Sequence, residues 1–569
     1  MMASPRRFLP VLLALVAAIA VAHLRGASHE PVRARHGMVG STDEFASRAG
    51  LHILQHGGNA IDAAVAVGFA LAVTHPAAGN LGGGGFMVIR MADGRETTID
   101  YREVAPAGAL RDMFLDSAGE PVSDRSRVGP LASGVPGSVA GMALAQRRYG
   151  RLPLAVVMAP AIALARDGFD VSWALADSLK SAQSLLARFP ASARAFQRAD
   201  ATMPGPGDRL VQPDLATTLT LIAEQGPDAF YKGAIADLIA AEMARSGGLI
   251  TKADLAAYTP RERPPIIGTY RGYRVISMPP PSSGGIALVQ LLNILESFPL
   301  ADYGHNSSRA IHLVAEAARR VYADRSEWLG DPDFFKVPVT GLLSRRYADT
   351  LRSGISETRA TPSQEVKPGQ PRDFEQSDTT HYSVVDAEGN AVATTTTLNG
   401  SYGSGQIVTG AGFLLNNEMD DFSAKPGTPN MFGLIGGEAN AVGPGKRMLS
   451  SMTPTILVKD GKTRLVVGSP GGGRIITTVL QVVLNVLDFK MNVQEAVDAP
   501  RFHHQWLPDA IRLERQGFPA DVVTALEAMG HTTKVGDDMG DVHAIMIDEA
   551  TGLRLGASDP RLDGRTLGY

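Results

Sequence analysis

The sequence contains no cysteine. That excludes a disulfide scaffold, a thiol nucleophile, thiolate zinc sites and lipoprotein-type acylation of a cysteine. A chain without thiols is indifferent to redox conditions, so the absence assigns no compartment. A surplus of either charge is also missing: 54 Lys and Arg stand against 58 Asp and Glu, for a formal net charge of -4. No broad basic field is available to hold nucleic acid, and no polybasic run suggests a membrane surface. The expected partner is a small molecule. No internal repeat of fixed period is found.

Long apolar runs are scarce. One extends from Phe8 to Ala22 behind Arg6 and Arg7, and closes on Ala20-Val21-Ala22, small residues at the spacing a signal peptidase accepts. At about 15 residues it is shorter than the roughly 20 needed to span a bilayer. The pattern predicts a cleaved export signal over residues 1–22 and a periplasmic or extracellular protein. Cleavage after Ala27 would put Arg25 where a small residue is preferred, and an uncleaved anchor is the alternative reading. No other segment is long and apolar enough to cross a membrane.

What is present is ordinary for a soluble globular protein: 569 residues, 44% apolar and 20% charged. The length suffices for a large core and is long for one domain. Ile61 to Val73, rich in Ala and Val and preceded by Asn59 in a cap-like position, predicts a helix buried on most sides. Four consecutive glycines, Gly82 to Gly85, allow close backbone approach. They lack the Lys-Ser/Thr ending of a phosphate loop, as does Gly468 to Gly473, where Arg474-Ile475 follows. Helical patterns cover Ser133 to about Gln212 and Asp214 to Ser246, with a short helix at Lys252 to Tyr258. A strand is expected at Tyr270 to Met278, then helices at Gly284 to Phe298 and Ser308 to Leu329. From Ser353 to Ser377 the composition turns to Ser, Thr, Pro, Gly, Gln and charge, the best candidate for a mobile linker. Hairpins follow around Asp386 to Asn390 and around Asp460-Gly461, and a strongly apolar helix at Ile475 to Leu487.

The junction of linker and first hairpin carries the chemistry. Ser377-Asp378 runs directly into Thr379-Thr380-His381-Tyr382-Ser383. A hydroxyl there can attack its own preceding peptide bond and leave Thr379 as a new N-terminus. A threonine hydroxyl is a poor nucleophile, and a free α-amine on the same residue, titrating at roughly 7.7–8.0, can serve as its base. On spacing alone the blander reading is the stronger one: a threonine pair at a strand start is usually a matter of β-propensity and nothing more. The adjacent His503 and His504 suggest a metal site, but neighbours on one segment usually point apart, and no His-Glu-x-x-His run exists. No complete Gly-x-Ser-x-Gly elbow exists either, which counts against an ordinary serine hydrolase.

The wider pattern is more specific. The segments 377–383, Leu415-Asn416-Asn417-Glu418-Met419-Asp420-Asp421-Phe422, Leu449-Ser450-Ser451-Met452 and Gly468-Ser469-Pro470-Gly471-Gly472 closely resemble the small subunit of γ-glutamyltransferases. Upstream, Gly57-Gly58-Asn59-Ala60-Ile61-Asp62-Ala63-Ala64 and Asp100-Tyr101-Arg102-Glu103 are similar to the large subunit of the same family. The resemblance covers nearly everything after the apolar leader. It implies an α+β fold, the four-layer αββα sandwich of the N-terminal nucleophile hydrolases. It also implies one globule built from two fragments of one precursor, 23–378 and 379–569, cut between Asp378 and Thr379.

Carried over residue by residue, the resemblance makes Thr379 the nucleophile, Thr397 the threonine that hydrogen-bonds it, and Gly471 and Gly472 the oxyanion-hole positions. Arg102, Ser450 and Ser451 match residues that bind the substrate α-carboxylate; Asn399, Glu418 and Asp421 match those that bind its ammonium. Without the family, Asp420 and Asp421 fit a solvated turn or an isolated cation site, and Arg102 beside Glu103 fits a surface ion pair. The implied substrates are glutathione and other γ-glutamyl compounds, with water, amino acids or peptides as acceptors and no cofactor or metal. An acid at Asp421 favours γ-glutamyl substrates over glutaryl-type amides such as β-lactam side chains, the same-fold alternative. A non-catalytic, uncleaved binding protein is the alternative of another class. Lys425 to Gly437 resembles a pocket lid, with Phe432 where that lid usually carries a tyrosine.

Overall fold

The computed structural model describes residues 28–371 and 381–569. The apolar leader and the junction residues 377–380, with Asp378 and Thr379, lie outside the described residues.

Two seven-stranded sheets face each other. One is ordered Val32–Ala34, Arg554–Ser558, His543–Ile547, Lys462–Val467, Thr455–Lys459, Tyr273–Ser277, Ile266–Tyr270. The other is ordered Arg565–Gly568, Met38–Ser41, His381–Val385, Ala391–Thr397, Gly84–Arg90, Glu96–Asp100, Arg261–Arg263. Side chains alternate across each strand, as a pleated backbone requires. In the second sheet Phe86, Val88, Val385 and Ala393 meet Ile276, Ile456, Val466 and Ile545 of the first, filling the space between the sheets. Their neighbours Met87, Ile89, Tyr382, Val384 and Val392 face outward into a core shared with helices Glu44–Gln55, Ala60–Thr74 and Ser138–Tyr149. On the far side Val275, Leu457, Leu465 and Val467 pack under helices Gly284–Leu295, Ser308–Trp328 and Ile475–Leu487. The result is the four-layer αββα arrangement.

Helix Ala60–Thr74 is buried along its whole length. Its start is fixed by a capping box: the Asn59 side chain accepts from Ile61 and Asp62 N–H, and the Asp62 carboxylate accepts from Asn59 N–H. The small residues expected to need close approach do so; a side chain at Gly83 would run into the Thr397 carbonyl. The strand expected at 270–278 is present as Tyr273–Ser277, and it is the second arm of a hairpin whose first arm, Ile266–Tyr270, the pattern did not announce. Its turn is Arg271-Gly272, both at positive φ (49° and 83°), a type I′ geometry that an Arg seldom advertises.

The linker expectation also needs correction over its described part. Residues 354–371 form no regular element, yet they are tied down on both sides. Ser363 N–H donates to Asp509 at 2.7 Å, Gly369 N–H to Asp324 at 2.7 Å, and Ala360 N–H to the Met529 carbonyl at 2.7 Å. Trp506 Nε1 donates to the Ser363 carbonyl at 2.9 Å. Composition reported the lack of a local core correctly; the anchoring comes from distant partners that composition does not reveal.

Candidate active site

A cavity of about 500 Å³ opens where strand Ala391–Thr397 ends and where the glycine turn leads into helix Ile475–Leu487. Thr397, Asn399, Glu418, Phe432, Gly471 and Gly472, all singled out from sequence, line it. Thr397 Oγ1 accepts a hydrogen bond from Asn399 N–H at 2.6 Å, and Asn399 Nδ2 donates to the Asn417 carbonyl at 3.0 Å. Asn399 sits at φ 73°, a conformation asparagine tolerates better than most residues. This tight turn aims residues 397–399 at the cavity.

Gly471 (φ 134°) and Gly472 (φ 56°) form the turn that enters the helix. Helix-start N–H groups have no intrahelical acceptor and carry the positive end of the helix dipole. A Cβ at Gly472 would lie 2.5 Å from the Phe432 ring, so the aromatic covers this glycine directly. Phe432 is held by its backbone: its N–H donates to Asn430 Oδ1 at 3.0 Å and its carbonyl accepts from Gln505 Nε2 at 3.3 Å. Asn430 Nδ2 in turn donates to Asp421 at 2.9 Å, and Met431 N–H to Asp420 at 2.9 Å. Both acids therefore anchor the covering loop, and neither is a solvated turn residue.

Behind the cavity lies a buried charge cluster. Arg102 is fully buried, which excludes the surface ion pair. Its Nη1 bonds Glu418, its Nη2 donates to Asp421 at 2.8 Å, and its Nε donates to the Met448 carbonyl at 3.3 Å. Burial works against the guanidinium charge, but Glu418, Glu103 and Asp421 together hold its pKa above the ordinary value. Burial pushes Glu103 up to about 7 despite Arg102, and pushes Glu418 well above the usual carboxylate range. Ser450 and Ser451, carried on the strand-like segment after Met448, are wholly buried, and their hydroxyls find no partner among the described residues. Arg102, Asp421, Ser450 and Ser451 thus stand behind the cavity wall rather than on its surface.

Sequence reasoning missed the opposite wall: Thr42, Asp43, Thr74, His75 and Asp541. Asp43 caps helix Glu44–Gln55 and also accepts from Thr74 Oγ1 at 2.7 Å. Asp541 accepts from His543 Nε2 at 3.0 Å and from the Thr42 hydroxyl. Asp43 and His75 belong to helix boundaries and Asp541 to a strand approach some 500 positions away in sequence. The Asp541-Val542-His543 spacing is the only local signal, and it is a weak one. His503 and His504 point apart: His503 Nδ1 pairs with Thr477 Oγ1 at 2.7 Å, while His504 Nε2 faces Arg319 and Asp509 at 3.1 and 3.2 Å.

Facing sheets between helical layers, with a cavity at the strand ends, define the N-terminal nucleophile hydrolase fold. The chain belongs to the γ-glutamyltranspeptidase family, whose pattern matches residues 46–569. It is 57% identical to the glutathione hydrolase proenzyme of Escherichia coli K12 over 95% of this chain and 93% of that one. Among solved structures, cephalosporin acylase from Bacillus halodurans superposes with a TM-score of 0.86 at 31% identity, covering 96% of this chain and 98% of that one. The γ-glutamyltranspeptidase of Helicobacter pylori does so with a TM-score of 0.57 at 45% identity, over 61% of this chain and 97% of that one.

Proposed function

We propose that this protein is an exported proenzyme that cuts itself between Asp378 and Thr379 and then hydrolyses or transfers γ-glutamyl groups, glutathione among them. The observation that carries the reading is the cavity that unites Thr397, Asn399 and Glu418 with the glycine turn at a helix start. Thr379 stands as far before His381 in sequence as Thr397 stands beyond Thr395, the residue His381 pairs with. In the mechanism Thr379 Oγ attacks the γ-carbonyl carbon while its own α-amine takes the proton. Thr397 hydrogen-bonds the nucleophile. Gly471 and Gly472 N–H groups receive the oxyanion, where one lost donor can cost roughly 3 kcal/mol in barrier. Amine departs with a proton, and water or a second amine then opens the acyl-enzyme.

The charge cluster suits a zwitterion. Ser450 and Ser451 hydroxyls without acceptors, next to the Arg102 guanidinium, are donors suited to a carboxylate. Glu418 and Asp421, with Asn399, supply the acceptors an ammonium needs. The acid at Asp421 favours this substrate over the glutaryl amides of a same-fold acylase. Among the described residues no helix is long and apolar enough to cross a membrane, and export rests on the leader sequence. Intact mass of the purified protein under denaturing conditions tests the processing: two fragments are expected, the smaller beginning at Thr379. One unbroken chain that leaves glutathione untouched after long incubation sinks the proposal and favours a binding protein. Asp421→Asn separates the enzymes: a loss of about 100-fold or more in kcat/KM on γ-glutamyl-p-nitroanilide is expected, against little change for a glutaryl amide.

A further inference from the structure

Helix Ser308–Trp328 carries a stripe of polar side chains at intervals of four: His312, Glu316, Arg320, Asp324 and Trp328. Residues four apart lie one above another on a helix face. Each of the five reaches the backbone of residues 354–369, the stretch that precedes the cleavage junction. His312 Nε2 donates to the Ser356 carbonyl at 2.7 Å. Glu316 accepts from Thr361 N–H at 3.0 Å and from its hydroxyl at 2.7 Å. Arg320 donates to the Gly354 carbonyl. Asp324 accepts from Gly369 N–H at 2.7 Å, and Trp328 Nε1 donates to the Gly369 carbonyl at 3.2 Å. From Ser356 to Gly369 the segment and the helix run the same way.

Gly369 is the most closely held of these points. Its N–H and its carbonyl are both engaged, and Tyr347, whose hydroxyl donates to Asp324 at 2.9 Å, lies against it. A Cβ at this glycine would run into that hydroxyl. His312, Glu316 and Asp324 are each 1% exposed or less, so these bonds are made away from water, where a lost partner leaves an unmet polar group. A segment with few large apolar side chains is thus fixed through its main chain. Asp378 stands nine residues beyond Gly369. On the far side of the junction, His381 opens a paired strand two residues after Thr379.

We propose that this stripe is a positioning track for self-cleavage: by fixing residues 354–369 it holds the Asp378 side of the scissile bond, while strand His381–Val385 holds the Thr379 side. The assignment rests on the self-cleavage reading above. In that step Thr379 Oγ adds to the Asp378 carbonyl carbon and the C–N bond breaks. The hydroxyl proton passes to the departing nitrogen, which becomes the α-amine of Thr379. Water then hydrolyses the resulting ester, giving the Asp378 α-carboxylate and freeing the Thr379 hydroxyl. The reacting residues are neighbours in sequence, so the step depends on orientation, and a misplacement of about 1 Å can cost on the order of 100-fold. None of the five stripe residues lines the cavity, so the track has no part in later turnover.

The test makes the full chain by cell-free synthesis with labelled methionine and reads the half-time of conversion to two fragments on denaturing gels. The matured enzyme is then assayed for kcat and KM on γ-glutamyl-p-nitroanilide. Gly369→Ala should lengthen the half-time at least about fivefold and leave both constants of the matured fraction within about twofold of wild type. Adding Tyr347→Phe, which removes the hydroxyl the new methyl meets, should recover most of that loss. A wild-type half-time for Gly369→Ala overturns the track. So does a slower cut that Tyr347→Phe does not relieve, or one whose matured product has lost activity to the same extent. If Gly369→Ala is insoluble, Trp328→Phe, which deletes a single donor to Gly369, decides in its place: a half-time lengthened about twofold or more sustains the track, and an unchanged one overturns it. Wild type that never cleaves overturns the track together with the self-cleavage reading beneath it.

Discussion

Glu103 lies against Arg102 with both carboxylate oxygens lacking a donor, and its pKa is pushed by burial to about 7 from an ordinary 4.5. Between those values the folded chain binds a proton that the unfolded chain has released. Stability therefore falls as pH rises from about 4.5 to about 7, the window set by the two pKa values. The contribution is on the order of 3 kcal/mol for a shift of this size. Glu103→Gln, which keeps the shape and removes the titration, should flatten that decline in urea midpoints measured at pH 5 and pH 7.5. Parallel curves for variant and wild type would remove Glu103 as the cause. Gly472 makes a second case. At φ 56° and under the Phe432 ring it has room for no side chain, and a non-glycine residue in that conformation costs roughly 1–2 kcal/mol. Gly472→Ala should lower kcat for γ-glutamyl hydrolysis at least about tenfold while moving KM little. A loss confined to KM would mean the turn serves binding and not the oxyanion.

At the scale of elements, what was legible in sequence followed from local pattern. Helix Ile475–Leu487 has the bounds the apolar run predicts, because its ends are set by residues next to it. The Asn59 cap was equally visible, and Asn59→Ala should cost about 1 kcal/mol in an equilibrium unfolding measurement. An unchanged midpoint would show that packing alone fixes the start of that helix. The hairpin at Arg271-Gly272 was not legible, since the arginine's positive φ is imposed by the pairing of the strands and not by its own preference. Its guanidinium is then held by Asp488 at 2.9 Å, a contact of more than 200 positions. The same reason hid the anchoring of residues 354–371 and the wall of Asp43, His75 and Asp541. In the site, glycines and acids in short motifs could be read from sequence through a family resemblance. The Asp43–Asp541 wall has no motif, since its residues come from separate ends of the chain. For residues 354–371, the hydrogen bonds to Asp324, Asp509 and Trp506 predict slow amide exchange at Ser363 and Gly369 relative to exposed coil. Exchange at the free-coil rate would show those bonds to be transient.

Across the whole molecule, the strand order threads segments from both sides of residue 379 through each sheet. His381–Val385 and Ala391–Thr397 lie between Met38–Ser41 and Gly84–Arg90, and Thr455–Lys459 lies beside Tyr273–Ser277. Val32–Ala34 closes the edge of the other sheet against Arg554–Ser558, near the far end of the sequence. Each half of the chain therefore lacks the partner strands its own apolar faces require. A cut at residue 379 should leave a single calorimetric transition for both fragments; two transitions would show that each keeps a core of its own. The interleaving also bears on inheritance within a cell. Two alleles expressed side by side would yield only parental pairings, because a fragment can leave its sibling only by unfolding. A defect in one half could not be rescued by a healthy copy of that half made on another precursor, so complementation between alleles should fail even when both proteins are abundant.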